Sequence, residues 1–168
     1  MEADLFAVVV TGGLDAKRVE TFFRKTYQKA CQMDCSENLV LVDSSEDLGN
    51  KMTPKPKPTQ PPISRLPRST GLSLEVIAQE IAKTANELPG FVLSSQLFAV
   101  LDERSAREDN GLIVQVRNDG IETVRVHFDT IAAEITRISM ITFDIGETID
   151  FARNAPDGVF RTETPKPY

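Results

Sequence analysis

The sequence predicts a single α/β domain: a mixed sheet of about five strands with a βαβ start, a C-terminal hairpin, packed helices and a proline-rich flexible insertion. Three observations predict it. Short continuous apolar runs at Leu5 to Val10 and Leu39 to Val42 bracket a helix-period stripe. An Asp119-Gly120 pair separates two later β-type runs. Six prolines between residues 54 and 67 interrupt an otherwise periodic chain of 168 residues. That length and 40% apolar residues suffice for one core of ordinary size.

The run Leu5-Phe6-Ala7-Val8-Val9-Val10 is β-branched, closes on Thr11-Gly12-Gly13 and reads as a strand buried on both faces. Asp15 is placed to cap a helix in which Val19, Phe22, Phe23, Thr26, Tyr27 and Ala30 make one apolar stripe. Its other sides carry Lys17, Arg18, Arg24, Lys25 and Lys29, which form a solvated exterior or, less commonly, an anion-facing surface. Leu39 to Val42 repeats the buried-strand signature and ends at Asp43, completing a parallel strand, helix, strand unit.

Composition changes from residue 45 to 70. Residues 51–68 hold five cationic side chains and no acid, and their prolines favour extended backbone over a packed core, so this stretch is expected to be a linker or long loop. Taking those five from the 19 Lys and Arg leaves 14 against 25 acids, about −11 for the remainder, so loop and body are complementary in charge. Lys55, Pro58 and Pro61 have the spacing of a basic ligand for an SH3-type groove and are the candidate partner-binding residues.

Order is expected to resume at Gly71, with Ser73 capping a helix through Leu74, Ile77, Ala78, Ile81, Ala85 and Leu88 until Pro89-Gly90 stops it. A strand over Leu97 to Leu101 ends at Asp102, and a charged loop follows. In the hairpin, Val124, Val126 and Phe128 share one face, which puts His127 on the other with Thr123 and Arg125. Asp129 is expected to cap a helix through Ile138. Asp144 is expected to open another, with Glu147 completing a capping box and Phe143 as its staple. Val159 and Phe160 should dock on the core, while residues 162–168 form a loose tail. The domain therefore comprises residues 1–44 and 71–161.

Several function classes recede on these grounds. The formal charge of −6 opposes nonspecific nucleic-acid binding. No apolar run approaches a membrane span, and Met1-Glu2-Ala3-Asp4 places acids where a signal peptide carries bases, which predicts a cytoplasmic protein. Cys31 and Cys35 do not match the redox Cys-x-x-Cys spacing, and with His127 the only histidine no metal set or cofactor is expected. In open α/β sheets, ligands favour the carboxyl ends of parallel strands. The candidate ligand-binding residues are accordingly Thr11, Gly12, Asp43 and Asp102, joined by His127 and Arg161. Gly12-Gly13 serves either a close anion approach or a tight turn. Asp43 and Asp102 serve to hold a cation, as an acid/base pair or as turn caps, and Arg161 either binds a carboxylate or pins the tail to an acid such as Asp144 or Asp157.

The opening strand ending in Thr11, the Gly71-Leu72-Ser73-Leu74-Glu75 helix start, the Phe98 to Asp102 segment and the Met140-to-Asp144 and Asp157-Gly158-Val159-Phe160-Arg161 stretches resemble a family of small bacterial and fungal domains of unknown function. The resemblance spans nearly the whole chain except residues 45–70, and its most specific part is the Asp-Gly-Val-Phe-Arg tail. It implies a compact α/β fold and supplies neither a reaction nor catalytic residues. The expected function is a non-catalytic binding or accessory protein with an unknown protein or small-molecule partner. The rivals are a small cofactor-independent enzyme in specialised-metabolite biosynthesis, using a carboxylate or His127, and an adaptor for SH3-type domains.

Overall fold

The computed structural model describes residues 4–42, 57–63, 71–87, 90, 92–142 and 144–162. Five strands, β1 (Leu5–Val10), β2 (Leu39–Val42), β3 (Leu93–Leu101), β4 (Asn110–Arg117) and β5 (Gly120–His127), form one sheet in the order β2-β1-β3-β4-β5. The β1 strand runs parallel to β2 and β3, whereas β3, β4 and β5 alternate in direction. The predicted mixed sheet with a βαβ start is therefore the observed fold. β3 begins four residues before the apolar run that announced it, because Leu93 is buried beside β1 despite the polar residues that follow.

Helix α1 (Ala16–Gln32) covers one face of the sheet, and α2 (Leu74–Glu87) contributes Ile77, Ala78 and Ile81 to the core on the other. The α1 stripe carries Phe22 and Phe23, both fully buried, with Phe22 edge-on to Phe128 at 5.2 Å between centroids. Burying each such ring is worth about 1.5–3 kcal/mol, so this stripe is the main anchor of the helix. Asp15 caps α1 by accepting from the Arg18 amide at 2.7 Å, and Ser73 accepts from the Val76 amide at the start of α2. α1 ends in a Schellman turn: Asp34 has φ +55°, the Cys35 amide donates to Ala30 and the Asp34 amide to Cys31.

Four local expectations are corrected. The charged loop after β3 contains a short helix, α3 (Glu103–Arg107), because Asp102 and Ser105 form a reciprocal capping box. Asp129 caps no helix. A tight turn at Phe128–Thr130 precedes α4 (Ile131–Arg137), and the Asp129 carboxylate instead accepts from the Thr130 hydroxyl and contacts His127. The helix expected to run through Ile138 does so: Ile138 keeps helical dihedrals (φ −60°, ψ −48°), and the helix continues as a wider π-helical turn over Ile138–Thr142. Asp144 binds the Gly146 amide, but the residue preceding α5 (Gly146–Asn154) is Ile145, and Glu147 reaches Arg137 rather than closing a box. Phe143, the expected staple, lies outside the described residues. The hairpin apex is also one residue early: Asn118 and Asp119 make the turn, and Gly120 opens β5 at φ +140°.

Both sheet edges are partly covered by other segments. On β5, the Phe160 amide donates to Arg125 and the His127 amide donates to Phe160, so the tail adds one parallel bridge. Val159 beside it is 1% exposed. On β2, the Thr59 amide donates to the Leu39 carbonyl and the Leu41 amide donates to Thr59 Oγ1. Residues 57–63 thus lie docked within the stretch expected to loop away, with Ile63 packed on the core and its amide bound to Glu20. Satisfying edge amides in this way blocks strand addition by another chain.

Candidate functional site

The parallel strand ends are the first place to look, and there β1 and β3 close on each other. The Thr11 and Gly12 amides both donate to the Leu101 carbonyl, at 2.9 and 3.3 Å. A Cβ on Gly12 would lie 2.4 Å from both the Asp102 carbonyl carbon and the Glu103 nitrogen. Of the two readings of Gly12-Gly13, the tight turn is the one the chain adopts at Gly12, whose amide faces protein and not a ligand.

Asp102 is equally committed. Besides capping α3, it receives a two-pronged contact from Arg125, at 3.1 and 2.5 Å, while Arg125 also donates to Asn110 at 2.9 Å. Partial burial pushes the Asp102 carboxyl up, but the hydrogen bonds and charge of Arg125, with Ser105, outweigh it and hold the group below the usual carboxylate range. It stays ionised, which suits a structural anchor. Asp43, its proposed partner, lies outside the described residues. Arg161 pairs with Asp157 at 3.0 and 2.7 Å and pins the tail, one of the two roles expected of it; this pairing holds Asp157 well below the ordinary range. Pro58 and Pro61 are half-buried in the docked segment, whereas Lys55 lies outside the described residues.

Among the described candidates, His127 lines an open groove. It sits at the end of β5 in a groove of about 320 Å³ whose other wall is α1, with Lys25, Gln28, Lys29 and Gln32 at successive helical positions and Asp129 at the floor turn. Asp129 Oδ1 is 2.9 Å from His127 Nδ1 and also accepts from Thr130 Oγ1 at 2.7 Å. Burial raises the Asp129 carboxyl, yet the Thr130 and His127 hydrogen bonds and the nearby Lys29 charge together hold it below the usual range. An ionised carboxylate only accepts, so the His127 proton resides on Nδ1 and Nε2 is the nitrogen left for other partners.

The lysines tie the walls together. Lys29 Nζ donates to the Thr162 carbonyl at 3.2 Å and lies 3.7 Å from Asp129, while Lys25 pairs with Asp109. Arg18 reaches the same Asp109 at 2.8 Å, donates to the Ser105 carbonyl and stacks 5.0 Å over the Phe128 ring. Gln28 and Gln32 are exposed and have no partner among the described residues. A second open groove, about 310 Å³, runs along the start of α1 past Gly13, Lys17, Arg18 and Thr21, but Asp15 already occupies the helix-end amide there.

Sequence reasoning placed Lys25 and Lys29 on a solvated helix side and gave Asp129 to a cap. The polar spacing of 25, 28, 29 and 32 was visible, but nothing local marked β5 as the opposite wall. Among the described residues, no three of His, Cys, Asp and Glu gather as a metal-ligating group, and no helix is long and apolar enough to cross a membrane. Compared with protein-family models, curated proteins and solved structures, the chain matches none of them.

Proposed function

We propose that this chain is a non-catalytic binding or accessory protein, related through its Asp157 to Arg161 tail to the small α/β domains it resembles, and that it engages its partner through the groove between α1 and His127. The observation carrying this reading is the strand-end contact: Gly12 lies against the Asp102 backbone where β1 and β3 meet, and in the open groove beside it Asp15 already takes the Arg18 amide at the helix end. The His127 groove is open and polar, the form of a recognition surface and not of an enclosed apolar pocket that would drive a buried proton transfer. The enzyme reading draws its support from the His127 and Asp129 pair, an oriented imidazole with a free Nε2. The adaptor reading has less, since Pro58 and Pro61 lie half-buried along β2.

The test is affinity capture from the native host with the full chain and with Lys25→Glu/Lys29→Glu, analysing bound proteins and small molecules by mass spectrometry. A ligand held by the parent chain and lost from the folded double variant is the expected result. Identical captures from both, or substrate turnover by the parent chain, would refute the proposal.

A further inference from the structure

We infer that the His127 groove is a site for the phosphoryl group of a small phosphomonoester, a statement that rests on the groove being the binding surface proposed above. The argument begins with the donors. Lys25, Gln28, Lys29 and Gln32 project from one wall, and His127 faces them across about 320 Å³. Lys25 is engaged by Asp109 beside the groove, and Lys29 by the Thr162 carbonyl and Asp129, yet an ammonium has three hydrogens, and the two glutamine amides are unspent among the described residues. Around the groove, Arg18, Lys25 and Lys29 outnumber Asp109 and Asp129. On a chain of net charge −6 this is a local excess of positive charge.

Asp129 is the one acid in the lining, and its charge is already directed at His127, Thr130 and Lys29. Its role toward a ligand is to hold the imidazole through Nδ1, leaving Nε2 for the ligand. That nitrogen accepts a proton when neutral and donates one when charged. A phosphomonoester has the complementary property, since its second ionisation falls near about pH 6 and its three terminal oxygens accept hydrogen bonds in several directions. One proton shared between Nε2 and a phosphoryl oxygen satisfies both groups, while the ammonium and amide donors take the other oxygens. Sulfate and a phosphodiester have no such proton near neutral pH, and a carboxylate offers two coplanar oxygens to donors arriving from two walls.

The chain carries one histidine, so its ring protons report on this groove alone. The experiment follows the His127 ring resonances of the full chain at constant ionic strength near neutral pH, titrating inorganic phosphate, glycerol phosphate, sulfate, dimethyl phosphate and acetate in parallel, with phosphorus NMR on the glycerol phosphate sample. A saturable shift with glycerol phosphate, absent with sulfate, dimethyl phosphate and acetate, is expected. If inorganic phosphate gives an equal affinity, the phosphoryl group alone is recognised. Tighter glycerol phosphate binding instead assigns a contact to the ester group. Lys29→Gln should weaken binding by roughly tenfold. Because Lys29 also holds the tail, Gln28→Ala provides a variant on an exposed side chain and should weaken binding by a smaller factor, whereas Lys17→Gln on the same helix should not. A shift shared equally by all five anions, no saturation, or affinity unchanged in both Lys29→Gln and Gln28→Ala overturns the site. Release of inorganic phosphate from glycerol phosphate would leave this site standing and overturn the non-catalytic reading. Loss of the phosphoryl site alone leaves that reading to the capture experiment.

Discussion

Gly12 and Asp102 are in backbone contact: the space a side chain on Gly12 would need is taken by the Asp102 carbonyl carbon and the Glu103 nitrogen, 2.4 Å from the Cβ position. A glycine at the end of β1 is what lets the ends of β1 and β3 meet there. Gly12→Ala must push backbone rather than a flexible side chain, and it should cost about 1–3 kcal/mol or more. Gly13, with nothing within 4 Å of its Cβ position, is the internal control. Urea unfolding of both alanine variants checks this, and equal effects at the two positions would contradict the packing described.

The Asp102 and Arg125 pair should make stability depend on acid. Its carboxyl is held below the ordinary range in the folded state, so its contribution is complete above the unfolded value of about 4 and is lost as pH falls through the lower folded value. Arg125→Met is expected to cost about 1–3 kcal/mol at pH 7 by leaving Asp102 unpaired. The gap between parent and variant should be smaller at an acid pH below that lowered folded value than at pH 7, because a protonated Asp102 no longer pairs with Arg125. Denaturant unfolding at the two pH values measures it, and a pH-independent gap would show that the lost packing of the Arg125 stem dominates.

Thr59 protects the outer edge of β2 by using its hydroxyl as an acceptor for the Leu41 amide. Thr59→Val keeps the shape and removes that acceptor. Amide hydrogen exchange at Leu41 should accelerate by an order of magnitude or so, consistent with a hydrogen bond worth about 1 kcal/mol, while the Val126 region on the opposite edge stays unchanged. Unaltered exchange at Leu41 would mean that residues 57–63 do not dock as described.

At the end of α1, Asp34 adopts φ +55° to form the Schellman turn. Glycine occupies that conformation without a Cβ penalty, so Asp34→Gly should stabilise the chain by about 0.5–1 kcal/mol, read from the thermal or urea midpoint. A loss of stability would point to an unrecognised contact of the Asp34 carboxylate.

Local signals determined much of this molecule. Continuous β-branched runs announced β1 and β2, the stripe from Val19 to Ala30 announced the buried face of α1, and Asp15 and Ser73 announced caps, because each depends on residues within a turn or two of one another. The alternation in β5 likewise put Val124 and Val126 inward. Tertiary structure alone decided the rest. Asp129 reads as a cap in isolation, but besides its local contact with His127 it is spent on Lys29, which arrives from a helix about a hundred residues earlier in the chain. Residues 57–63 read as loose by composition, but the unpaired edge of β2 gives their backbone hydrogen bonds that composition does not encode. The contact at Gly12 is made by the Asp102 backbone about ninety residues later in the chain. Periodicity records which side of an element is buried; which distant charged group, edge or backbone meets the other side is settled only when the elements pack, and the His127 groove is made of those encounters.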